Sequence, residues 1–149
     1  MKTSERHTNL LNQMQNGETG FGEWTRKNVA DLRVIEWSYG ALKMEWVLDQ
    51  NYVFGGAMFG GYIALVADHV LAGAAMTVLE ESDMRFRTAQ LETKFFRPLS
   101  GGRSIIEASA VNKSRNLIHV EANFLNENGK VAARSTAVQS RRREGQTTK

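Results

Sequence analysis

Apolar and polar positions alternate in several runs along this chain, and one long apolar stretch departs from that pattern. "LRVIEWS" and "ALKMEWVL" set Leu42, Met44 and Trp46 against Lys43 and Glu45 and flank Tyr39-Gly40, which predicts a β-hairpin. After the middle of the chain, "TAQLETKFF" alternates Ala89, Leu91, Thr93 and Phe95 with Gln90, Glu92, Lys94 and Phe96, and ends at Pro98 and a Ser-Gly-Gly turn. "SIIEASAV", "LIHVEANFL" and "KVAARSTAV" follow, separated by "NKSRN" and "NENG", and the second of these places Ile118, Val120, Ala122 and Phe124 on one face. Residues 51–61, with four glycines, predict a loop.

The exception is "GYIALVADHVLAGAAMTVLEE", residues 61–81, whose length and Ala/Leu content predict a helix. Apolar residues fall on every side of it, so protein is expected all around it. Its small residues, among them Ala64, Ala67, Ala72 and Gly73, let another surface come close. A hairpin, a buried helix and then four strands in a row predict an α+β fold: a curved antiparallel sheet of about six strands with the helix along its concave face. Residues 1–25 are expected as an arm or short helix carrying Leu10, Leu11 and Met14, residues 26–139 as one domain, and residues 140–149 as a disordered basic tail.

Composition narrows the chemistry. There is no cysteine, which excludes a thiolate nucleophile or metal site and suits a cytoplasmic protein. The formal charge of +3 resides in the tail, since residues 1–139 carry fifteen basic and fifteen acidic side chains. A nucleic-acid binder is expected to show a basic folded body, and this one does not. The N-terminus lacks an apolar core of signal length, and the longest apolar stretch carries Asp68 and His69 at its centre, against a membrane span. No G-x-S-x-G, H-E-x-x-H or phosphate-loop motif occurs. No metal or cofactor is expected, and chemistry is left to carboxylate, hydroxyl and backbone groups.

Asp68 stands among Val66, Ala67, Val70 and Leu71, where an isolated carboxylate is costly unless paired. It is either functional or bonded to neighbouring hydroxyls or a second subunit. Gly60-Gly61 is either a plain turn into the helix or a source of unhindered N–H donors at its positive end.

"GGYIALVAD", with the glycine-flanked "TAQLETKFFRPLSGG" and the closing "VNKSRNLIHVEANFLNENGKVAARSTAV", resembles the hotdog-fold acyl-CoA thioesterases, in particular the subgroup related to phenylacetate degradation. The resemblance covers roughly residues 30–139. It implies a curved sheet around one long helix, in a homodimer or homotetramer with active sites between subunits. It implies an acyl-CoA substrate, so that coenzyme A belongs to the substrate and no separate cofactor is needed. Carried over by position, Gly61 would polarise the thioester carbonyl and Asp68 would act as general base or nucleophile. Thr88 would assist from across the dimer. Phe59 occupies the place of a histidine common in the family, and the family's asparagine falls on Val53, with Asn51 as a substitute if the loop is longer. Phe54, Met58, Phe59, Gly60 and Tyr62 are candidates to line the acyl site, and Arg115 to meet the coenzyme A phosphates. His69 is read as a packed or interface histidine. The alternative is a non-catalytic hotdog protein that binds acyl-CoA or serves in assembly.

Overall fold

The computed structural model describes residues 1–18 and 21–146. Its core element is a six-stranded antiparallel sheet, ordered β1-β2-β6-β7-β8-β5. The predicted hairpin is β1 (Asp31–Ser38) and β2 (Ala41–Val47), closed at Gly40 with φ +80°. β5 (Asp83–Phe95), β6 (Arg103–Lys113), β7 (Leu117–Leu125) and β8 (Val131–Arg143) are the four later strands. A second, two-stranded ribbon, β3 (Val53–Phe54) and β4 (Ala57–Met58), turns on Gly55-Gly56, both at positive φ. A two-residue turn of that kind favours glycine at both places.

Helix α3 (Gly60–Met76) lies on the concave face of the sheet. Ile63, Val66, Ala67, Val70, Leu71, Ala74 and Ala75 bury its inner sides against Leu42, Met44, Trp46, Ile106, Val120 and Phe124. At Gly73 the approach is close enough that a Cβ would sit 2.8 Å from Leu42 Cδ2. The helix stops five residues before the expected end. Thr77 turns its hydroxyl back to the Ala74 carbonyl at 2.7 Å and receives the Gly40 N–H at 3.1 Å. Val78 and Leu79 then leave the helix to enter the core, and the Leu79 carbonyl accepts from the Ser4 N–H at 2.8 Å.

The helix is also less enclosed than its composition suggests. Gly61, Leu65 and Asp68 form a stripe that opens outward from the single chain. Asp68 is therefore exposed, not buried as the sequence implied, because the apolar residues beside it in sequence point to other sides of the helix.

Regular elements reach toward both ends of the described residues. The N-terminal segment forms α1 (Glu5–Gln15), with Leu11 and Met14 buried, and α2 (Phe21–Asn28). Of the expected tail, residues 140–143 continue β8 to Arg143, and residues 147–149 lie outside the described residues. Arg141 is buried and pairs with the equally buried Asp83, Nη1 to Oδ2 at 2.8 Å, while its Nε donates to the carbonyls of Ser114 and Arg115. Glu80 joins Lys113 and Arg143 at 2.9 Å each. The arginine run is thus a strap that holds the start of β5 to the turn between β6 and β7.

Removing one member of a buried, hydrogen-bonded pair leaves the other charge without compensation, which costs about 3–5 kcal/mol. Arg141→Met is therefore expected to lower the unfolding free energy by about that amount in urea titration. An unchanged midpoint would mean that residues 140–143 behave as a solvated tail after all.

Candidate active site

β5 follows α3 in sequence and runs back along it as the edge strand of the sheet. Strict alternation would put Thr88 on the face opposite Leu91 and Phe95. A register shift between Thr88 and Gln90 changes this: Thr88 pairs with Gln139, but Gln90 pairs with Val138 and Leu91 with Ala137. A bulge of this kind inserts one unpaired residue and re-aims the side chains beside it. Thr88, Leu91, Thr93 and Phe95 consequently share the face that meets α3. From there the Thr88 hydroxyl donates to Asp68 Oδ1 at 2.7 Å. The contact lies within one chain, whereas the family resemblance placed Thr88 across a dimer. The helix and the strand that follows it already supply both groups.

Gln139, absent from the sequence-based candidates, completes the group. It is fully buried on β8, with its Nε2 3.0 Å and its Oε1 3.2 Å from Thr88 Oγ1. The signal available in the sequence was a glutamine that the alternation of "KVAARSTAVQ" carries inward, on the same face as Ser135 and Ala137.

At the other end of the open stripe, Phe59 is the N-cap of α3 and offers no side-chain cap. Tyr62 and Ile63 donate their N–H groups to the Phe59 carbonyl. The N–H groups of Gly60 and Gly61, as usual in a first helical turn, have no partner within the helix. Aromatic rings crowd both glycines. A Cβ on Gly61 would lie 3.0 Å from Phe59 Cε1, and one on Gly60 would lie 3.2 Å from Phe95 Cζ. Phe54 meets Phe59 edge-on at 6.2 Å between ring centres. Phe54, Phe59, Leu65 and Phe95 are 66, 57, 52 and 54% exposed, an apolar surface continuous with Asp68 along α3 and β5.

The remaining candidates separate. Met58 belongs to the core. Tyr62 stacks on Tyr52 at 4.3 Å and donates its hydroxyl to the Val29 carbonyl, and burial raises its pKa above the ordinary 10.0. Asn51 is exposed in the 3₁₀ turn Gln50–Tyr52, where its N–H donates to Asp49 Oδ1 at 2.9 Å. That turn reaches the helix start through the Phe59 N–H, which donates to the Tyr52 carbonyl. Arg115 is exposed on the turn after β6, beside the strap at the C-terminal end of α3 and away from Gly61. His69 points from Asp68 toward α2, its Nε2 2.6 Å from the Thr25 hydroxyl, as a packed histidine. Among the described residues no group of three His, Asp or Glu side chains is arranged to hold a metal ion, and no helix is long and apolar enough to cross a membrane.

A family model described as the Thioesterase superfamily matches residues 55–133, from the first glycine pair to the start of β8. A Saccharolobus solfataricus protein named as a candidate esterase is 29% identical over 106 residues, 70% of this chain and 74% of its own. Among solved structures, a phenylacetic acid degradation-related protein of Ralstonia eutropha JMP134, described as a candidate thioesterase, matches with a TM-score of 0.72. It is 23% identical and covers 87% of this chain and 98% of its own. A hypothetical thioesterase of Streptococcus pneumoniae TIGR4, solved with coenzyme A, matches with a TM-score of 0.65 at 13% identity, over 75% and 86% of the two chains. At these identities the structural likeness concerns the fold, which is the hotdog fold.

His69 gives the region a pH signature. Burial lowers its pKa below the ordinary 6.5, with Asp68 opposing in part. The unfolded chain therefore binds the proton more readily than the folded one, and stability falls as pH drops below 6.5. His69→Gln is expected to flatten the dependence of unfolding free energy on pH between about 7 and 5. An identical slope in the variant would contradict the assignment.

Proposed function

The chain belongs to the Thioesterase superfamily, and on that premise we propose that it hydrolyses coenzyme A thioesters to a free acid and coenzyme A. The observation that carries the proposal is the Asp68–Thr88 pair, open to the outside on the helix that begins with the Gly60-Gly61 donors. Thioester hydrolysis needs a base for water and donors for the carbonyl oxygen as it gains charge. Asp68 is the base, with its Oδ1 held by Thr88. Gly61 N–H, at the positive end of α3, is the oxyanion donor. In the first step the water oxygen bonds to the carbonyl carbon and its proton passes to Asp68. In the second the carbon–sulfur bond breaks and the proton returns to the leaving thiolate.

On this reading of the two groups, their spacing calls for a second copy of the chain. Gly61 and Asp68 are seven residues apart on one helix, or about 10 Å along its axis at 1.5 Å per residue. One carbonyl must lie about 3 Å from its donor and within reach of the activated water, so the two groups of a single α3 do not meet on it. Two antiparallel helices, packed through Gly61, Leu65 and Asp68 about a twofold axis, would bring Gly61 of one beside Asp68 of the other. The exposure of Gly61, Leu65 and Asp68 along one line and the open edge of β5 support this arrangement. It also explains why Asp68 and four large apolar residues are open in a single chain. We therefore propose a homodimer, or a tetramer built from it, with the active site between subunits.

Phe54, Phe59 and Phe95 then form an apolar wall for the acyl group beside the oxyanion donors. With Phe59 in place of a histidine, the backbone supplies the polarisation of the carbonyl. Arg115 is the proposed contact for the coenzyme A phosphates, supported by its exposure.

Hydrolysis of a panel of acyl- and aroyl-CoA esters tests the reading. The wild type is expected to be active and Asp68→Asn to lose more than a hundredfold in kcat, as when a general base is removed. No hydrolysis of any ester, with coenzyme A binding retained, would instead support the non-catalytic acyl-CoA-binding alternative. Leu65→Glu places like charges against each other across the twofold, and a monomeric, inactive protein is expected in sedimentation and assay. A dimer unaffected by this change would refute the packing.

A further inference from the structure

Gln139 has no evident reason to be where it is on grounds of stability alone. It lies on the core face of β8, where its neighbours two residues away are Ala137 and the strap arginine Arg141, itself paired with Asp83. A buried amide is costly unless its donor and acceptor are used. The hydrogen bonds of this side chain run to one atom: Nε2 and Oε1 stand 3.0 and 3.2 Å from Thr88 Oγ1.

A threonine hydroxyl has a single hydrogen and two lone pairs. When Asp68 is ionised it can only accept, so the Thr88 hydrogen points to Oδ1 at 2.7 Å and Thr88 accepts from Gln139 Nε2. When Asp68 is protonated it can donate to Thr88 Oγ1. The Thr88 hydrogen then needs another acceptor, and Gln139 Oε1 is already in place. The proton remains on Asp68 throughout; Thr88 only rotates its hydroxyl, and Gln139 keeps its own protons.

We propose that Gln139 is a positioning residue that offers the Thr88 hydroxyl a donor when Asp68 is ionised and an acceptor when Asp68 is protonated, so that Thr88 stays bonded to the carboxylate as it takes up and releases a proton. A valine or methionine would fill the same space and serve neither state, and an acid or base would add a charge. The proposal rests on the reading of Asp68 as the proton acceptor. His69, beside Asp68 in sequence, turns away to Thr25 of α2, Arg141, two residues from Gln139, is held by Asp83, and Arg87, beside Thr88 on β5, is exposed. The faces of β6 and β7 packed on α3 present Ile106, Ala108, Val120 and Ala122.

The test follows the side-chain amide signals of Gln139 by NMR in the isotope-labelled full-length protein through an acid titration. These signals are expected to shift with the titration of Asp68 in the wild type, and to stay in place in Asp68→Asn and in Thr88→Val. Signals that do not move, or that move equally in Asp68→Asn, overturn the proposal. No thioester is involved, so the outcome stands apart from whether the protein proves to be a hydrolase. In the assay, Gln139→Met is expected to lower kcat about tenfold with KM near the wild-type value, and to add no further loss in the Thr88→Val background. An equal loss in both backgrounds would mark Gln139 as merely structural. Should the methionine variant fail to fold, the amide titration still decides.

Discussion

The arrangement of this molecule turns on one irregularity in the edge strand. Without the bulge after Thr88, that side chain would face away from the helix and Asp68 would have no partner on β5. With it, the edge strand presents its hydroxyl, Leu91 and Phe95 on one side, along the same line as Gly61, Leu65 and Asp68 of α3. A register slip of one residue would exchange that whole set for Gln90, Glu92 and Lys94. The ion-pair strap of Arg141, Asp83 and Glu80 fixes the start of β5, and the hydrogen bond between Thr93 and Ser135 holds it further along. The register on which the site depends is therefore secured on both sides of the bulge.

The second constraint is the slimness of α3. Gly73 lets the helix settle against Leu42, and the aromatic rings of Phe59 and Phe95 can rest on the two glycines only because these lack side chains. The same economy leaves a narrow outward stripe on which a polar pair and large apolar residues stand together. In a single chain this stripe is open to the outside. Covered by a second helix, it would place the carboxylate in an environment dry enough for its hydrogen bonds to count and would bring donor and base to one point. In the proposed dimer, assembly and chemistry would both follow from that one helix face.

Much of this was legible in the sequence, for physical reasons that can be named. The period-two runs marked the strands, and the all-apolar Ala-rich run marked the central helix, because both patterns follow directly from burial. Asp68 stood out as a charge among aliphatic residues, and Gly60-Gly61 as a pair before a helix. What escaped were features set by tertiary context. Whether Asp68 opens outward depends on which stripe of the helix meets the sheet, and an apolar sequence on all sides conceals that. The face of Thr88 depends on a bulge that strand alternation cannot announce. The basic tail read as solvated because each arginine looks alike in sequence, although Arg141 finds its partner 58 residues earlier in Asp83. Gln139 gave only the faint sign of an amide at an inward position, and its importance appears once Thr88 is seen opposite.

In the proposed dimer the base of one subunit works with the oxyanion donor of the other. Subunit mixing addresses it directly: Asp68→Asn and Gly61→Val, each expected to be nearly inactive, are unfolded together, refolded and assayed. In a mixed dimer one of the two sites combines an intact glycine with an intact aspartate, so about a quarter of wild-type activity is expected from an equal mixture. A mixture no more active than its two components would show that donor and base belong to the same chain, and would contradict the shared site.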